Sequence, residues 1–82
     1  MHDKFAPSVW IRDGHLRVRA INASGEALSY LRAWRGNRSA EFDRALTTME
    51  AAVAGETSAA EARAVFKHFA NTEGVLAETD PV

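Results

Sequence analysis

Asp13-Gly14 sits between two stretches in which apolar and polar residues alternate, and this arrangement restricts residues 8–21 more than any other feature of the chain. Asp-Gly is a favoured pair for a two-residue type I′ turn, because both central positions take positive φ. A two-residue turn here sets Arg12 opposite His15, Ile11 opposite Leu16, Trp10 opposite Arg17 and Val9 opposite Val18. Opposed residues share a face. One face is then Val9, Ile11, Leu16, Val18 and Ala20; the other is Trp10, Arg12, His15, Arg17 and Arg19. Such a separation of apolar from basic side chains predicts a β-hairpin whose apolar face is turned inward.

A two-stranded ribbon is marginal in water by itself, so that apolar face requires cover. After Ile21 the spacing becomes helical. Asn22 or Ser24 is placed to cap a helix that runs to about Trp34, with Ala27, Leu28, Leu31 and Trp34 on one stripe. Ser39 opens a second helix in which Phe42, Ala45, Leu46, Met49 and Val53 recur at threes and fours, and Gly55 fits a left-handed cap at its end. Ser58-Ala59-Ala60-Glu61 fits a capping box for a third helix, with Ala62, Val65, Phe66, Phe69 and Ala70 inward and an end near Gly74. Val75-Leu76 is expected as a short edge strand or a packed tail. The predicted class is α+β: a β-hairpin followed by three helices packed on one face.

Eighty-two residues hold one modest core, so a single domain over 1–82 is expected, with its ordered part at about 5–76. There is no cysteine, which excludes disulfide staples and thiolate metal sites and suits a reducing cytoplasm. The N-terminal residues lack the apolar core of a signal peptide, and no apolar run approaches the ~20 residues that span a bilayer. Cytoplasmic localisation, with no membrane partner, is the expectation. A net charge of −1 conceals a division, +4 over residues 1–38 and −5 over residues 39–82. Opposite surfaces of this kind steer an anionic partner or bring two copies together, or they simply keep each half hydrated. A thin core and an exposed ribbon edge favour a homodimer, for which ribbon-to-ribbon pairing would cover the edge.

Several short motifs fall in a familiar order along this layout. They are Phe5-Ala6-Pro7-Ser8-Val9 before the first strand, Glu26-Ala27-Leu28 in the first helix, Trp34 at its end, Ala51-Ala52-Val53-Ala54-Gly55, and Glu61-Ala62-Arg63 followed by Phe66. From about Phe5 to Leu76 the chain resembles a family of short alpha-proteobacterial proteins, the domain of unknown function numbered nine hundred and eighty-two. It departs from the family pattern at Arg35, where a proline is common, and near Met49, where a cysteine is common. The resemblance implies this fold and a bacterial cytoplasmic setting, and it implies no catalytic residue.

No catalytic constellation is visible. His15 stands beside Asp13 on a solvated turn, His68 has no acidic residue three or four positions away, and His2 lies at the terminus. No two histidines have metal-ligand spacing and the glycines are isolated, so no enzyme activity, metal or cofactor is expected. Trp10, Arg12, His15, Arg17 and Arg19 form the candidate interaction surface. They serve either a protein contact, which is the leading reading, or nucleic-acid binding, in which Trp10 stacks on a base while the arginines hold phosphates. Arg32, Arg35 and Arg38 would extend that patch. Trp34 is read as a lid on the core with its indole N–H on a loop carbonyl, or as an exposed interface anchor. Arg63 is expected to pair with an acidic group of the second helix such as Glu50.

Overall fold

In chain order the elements are β1 (Lys4–Arg12), β2 (Val18–Ala23), α1 (Ser24–Arg32), α2 (Ala40–Val53) and α3 (Ala59–Thr72). They come from a computed structural model that describes residues 4–12 and 17–77. The class is the expected α+β, an antiparallel ribbon of β1 and β2 followed by three helices.

The register of the ribbon differs from the expected one. Val9 stands opposite Ile21, Trp10 opposite Ala20, Ile11 opposite Arg19 and Arg12 opposite Val18. This pairing is displaced by three residues, and an odd displacement exchanges the two faces of a strand. Ile21 is therefore buried with Val9 and Ile11, while Val18, expected in the core, is 40% exposed. Ala20, also expected inward, is half-buried on the side of Trp10. The Asp13-Gly14 turn, His15 and Leu16 lie outside the described residues.

The cause is the junction between β2 and α1. Ala23 ends the strand and is also the cap residue of the helix, so no linker can absorb a rotation between them. The apolar stripe of α1, Ala27, Leu28 and Leu31, is buried, and it fixes Ser24 and Ile21 inward on the same side. Each large apolar side chain buried contributes roughly 1.5–3 kcal/mol. Lengthening the connection from two residues to the five between Arg12 and Val18 costs only about 0.8 kcal/mol in closure entropy. Packing of the helix therefore overrides the local turn preference.

A second irregularity bends β1. Lys4 pairs with Ala23 and Val9 with Ile21, so β1 carries three extra residues between these two pairs. The bulge contains Pro7, whose missing N–H suits a position without ladder pairing, and it sends Phe5 into the core beside Phe66, with ring centroids 6.2 Å apart.

The helix ends follow local chemistry. The Ser39 and Ser58 hydroxyls accept from the backbone N–H groups of Phe42 and Glu61, at 3.3 and 3.0 Å. After α2 and α3 the chain turns through Gly55 and Gly74, at φ 81° and 75°, where residues with a Cβ are disfavoured. Glu56 N–H returns to the Ala51 carbonyl and Val75 N–H to the Ala70 carbonyl, the Schellman pattern at both ends. α1 differs from expectation. Neither Asn22 nor Ser24 caps it with a side chain; instead Asn22 N–H donates to the Glu26 carboxylate at 3.0 Å, and the helix ends at Arg32.

Phe42, Phe66, Phe69, Ile11, Ile21, Leu31 and Met49 form the fully buried centre. Phe69 meets Phe42 and Trp34 edge-on, at 6.0 and 5.2 Å between centroids. Val53, expected on the inward stripe of α2, is 45% exposed, and Ala52 is buried in its place. Beyond Gly74 the chain lies along the free side of β1: Arg12 N–H donates to the Val75 carbonyl at 2.6 Å and Ala77 N–H to the Trp10 carbonyl at 2.9 Å. The result is one antiparallel bridge, Ile11 with Leu76, in place of a C-terminal strand. β1 thus has neighbours on both sides, and β2 is the outer strand.

Candidate binding groove

The register change dismantles the expected arginine-tryptophan face. Trp10 and Arg12 share a side with Ala20 and Val18, whereas Arg19 lies on the side of Ile11. Arg19 reaches the rim of α1 and lines a shallow cleft with Ser29, Tyr30, Ala33, Trp34 and Arg35. Arg17 precedes β2 and is exposed, outside the ladder. His15 is outside the described residues. Arg32 sits 3.8 Å from Glu50, both exposed, and Arg38 lies over the Phe42 ring at 5.0 Å, so neither extends a ribbon patch.

Trp10 belongs instead to a groove between β1 and α3 with a volume of about 720 Å³. Its β1 wall runs from Pro7 to Trp10, its α3 wall is Arg63, Ala64, Lys67, His68 and Asn71, and Leu76 and Ala77 close one end. The α3 residues fall on one helix face because they repeat at three and four positions. That face adjoins the buried stripe of Ala62, Phe66, Phe69 and Ala70, which docks the helix on the sheet. The two walls are joined by Arg63, whose Nε–H donates to the Pro7 carbonyl at 2.6 Å. The expected pairing of Arg63 with Glu50 does not form, because Glu50 faces Arg32.

Three basic side chains line the groove and no carboxylate does so among the described residues. A second depression adjoins it, lined by Arg44, Ala64, Val65 and His68 and of about 290 Å³. Ala64 and His68 belong to both. Arg44, Arg63 and Lys67 are all the lysines and arginines of residues 39–82, the half of net charge −5. The fold gathers these cations onto one strip, and none of the three has a carboxylate partner among the described residues.

His68 is exposed and has no carboxylate to orient it among the described residues. Among those residues no three His, Asp or Glu side chains gather where they could hold a metal ion. An open groove with a tryptophan on one wall, apolar surface at Ala64 and Leu76, and a cationic rim is suited to holding an anionic, partly apolar chain.

Residues 9–77 match the model of a family described as a protein of unknown function, DUF982. The chain belongs to that family. The match covers every element that builds the groove except the first residues of β1. No curated protein and no solved structure matches the chain. Among the described residues no helix is long and apolar enough to cross a membrane. Helical spacing alone reveals the Arg63–Lys67 and Ala64–His68 pairs; the addition of Trp10 and Arg44 depends on how α3 packs against β1 and α2.

Proposed function

We propose that this member of the DUF982 family is a non-catalytic protein-interaction module of the bacterial cytoplasm, and that the groove between β1 and α3 receives its partner. The observation that carries this reading is the strip of Arg44, Arg63, Lys67 and His68 beside Trp10, which brings arginine and lysine side chains without a carboxylate partner among the described residues together with apolar surface in two adjoining concavities. Desolvated tryptophan and arginine side chains at the centre of a contact supply a disproportionate share of binding free energy. The cysteine-free composition suits the reducing compartment.

The test is photocrosslinking in extract of the native host, with the crosslinker placed at exposed Asn71. A product that forms with the parent chain and disappears in Trp10→Ala, with the circular dichroism spectrum retained, supports the reading. Products that persist in Trp10→Ala, or no product at all, overturn it.

Self-association is a second reading, favoured by one observation. β1 is flanked by β2 on one side and by residues 75–77 on the other, so β2 presents the outer edge of the ribbon, with Val18 exposed. Outer edges of this kind pair readily with a second copy. Nucleic-acid binding through a basic ribbon face has less support, since Arg19 and Trp10 lie on opposite sides of the sheet.

A further inference from the structure

We infer that the groove takes an extended acidic segment of a partner protein, one in which carboxylates alternate with apolar residues. This deepens the proposed function and rests on it. The argument begins with dimensions. From Arg63 to Asn71 α3 rises about 12 Å, the length of about four residues of extended chain. Arg63 and Lys67 are one helical turn apart, so their Cβ atoms are about 6 Å apart. In an extended chain every second side chain points the same way, at a spacing of about 6.6 Å. Two carboxylates at alternate positions therefore fall in step with Arg63 and Lys67.

The intervening side chains of such a segment point away from α3, toward β1. There they meet Trp10, with Leu76 at the end of the floor. An acidic–apolar alternation thus satisfies both walls at once, which neither a uniformly acidic nor a uniformly apolar segment does.

Charge selects the sign. All the Lys and Arg side chains of residues 39–82 lie on this strip, no carboxylate lines it among the described residues, and the cations are not neutralised by neighbours there. A single-stranded nucleic acid meets the same charge, yet its binders use several aromatic platforms for successive bases. This groove has one aromatic side chain, Trp10, and it is half-buried.

The experiment uses the full-length chain, labelled with ¹⁵N, and an acetylated, amidated hexapeptide of alternating glutamate and leucine. A matched glutamine–leucine hexapeptide and a thymidine decamer serve as comparisons. The acidic peptide is expected to move the Trp10 indole, Ala64, Asn71 and Ala77 resonances. Its affinity is expected to fall about tenfold in Lys67→Glu and severalfold between low and high salt. Lys67 is exposed and Lys67→Gln gives a milder companion, so loss of fold does not obscure the result. Equal binding of the glutamine peptide, unchanged affinity in Lys67→Glu, or shifts confined to β2 and α1 would overturn the inference. Shifts of the groove resonances by the decamer alone would replace peptide with nucleic acid. If Trp10-dependent crosslinking from Asn71 in host extract succeeds while the acidic peptide fails, the partner chemistry is wrong and the interaction module stands; if both fail, both fall.

Discussion

Arg63 on α3 reaches across to β1 and donates its Nε–H to the carbonyl of Pro7, 56 residues away in sequence, at 2.6 Å. The bond closes one end of the groove and ties the bulged part of β1 to the helix that covers it. Pro7 belongs to the stretch that interrupts the β1–β2 ladder. The side chain of Arg63 thus holds a segment that has lost part of its own sheet pairing.

Arg63→Ala is therefore expected to destabilise the fold by about 1 kcal/mol, the typical net contribution of a hydrogen bond that is not fully buried. In a domain of this size that lowers Tm by about 4–8 °C. Arg63→Lys keeps the charge but places an ammonium where a planar guanidinium fits, and is expected to recover less than half of the loss. Thermal unfolding of the three proteins checks this, and an Arg63→Ala transition that coincides with the parent shows that the bond adds nothing.

Trp34 is a lid on the core, as its place at the end of the α1 stripe predicts. Its ring stands edge-on to Phe69 and its Nε1–H donates to the Asn37 carbonyl at 2.9 Å. Gly36 passes close beneath: a Cβ there would lie 2.8 Å from the indole Cζ2. Gly36→Ala should displace the ring and break the Asn37 bond, at a cost of about 1–3 kcal/mol. Chemical denaturation followed by near-ultraviolet circular dichroism reports both effects. An alanine protein with the parent midpoint and spectrum would show that the loop yields without disturbing the lid.

The register makes a prediction with two arms. Ile21 is fully buried opposite Val9, so Ile21→Ala is expected to cost about 2–5 kcal/mol. Val18 is exposed opposite Arg12, so Val18→Thr is expected to stay within about 0.5 kcal/mol of the parent. A tight turn at Asp13-Gly14 would reverse the order, because it places Val18 inward. Urea midpoints of the two variants decide between the registers.

What could be read from the amino-acid sequence divides along the range of the interactions. Ser39 and Ser58 cap their helices, Gly55 and Gly74 end theirs, and Trp34 bonds a loop carbonyl three residues on, because each contact lies within one turn of chain. The partner of Trp10 could not be read in this way. Asp13-Gly14 favours a short turn locally, but Ile21 and α1 are buried as a continuous unit, and the strand follows the helix. Arg63 illustrates the same limit, since its i and i+4 neighbours indicate a helix face while its bond to Pro7 depends on how α3 crosses β1. The groove lies among such long-range contacts, so the chemistry of its walls emerges only when β1, α2 and α3 are packed together.

The edge of the ribbon supplies the last prediction. Residues 75–77 occupy the side of β1 away from β2, which removes β1 as a surface for strand pairing at Trp10 and Arg12. A dimer built by extending the sheet therefore has to use β2, where Val18 is the exposed large apolar residue. A lysine at an edge position disfavours pairing of this kind by forcing two like charges and their hydration into the new ladder. Val18 is not in the core but stands opposite Arg12, so Val18→Lys should cost the monomer no more than about 1 kcal/mol through like-charge repulsion. Multi-angle light scattering at high micromolar concentration is expected to give twice the 9.0 kDa chain mass for the parent and the single mass for Val18→Lys. A parent chain that remains a monomer throughout sinks the self-association reading, and a variant that still dimerises places the contact somewhere other than β2.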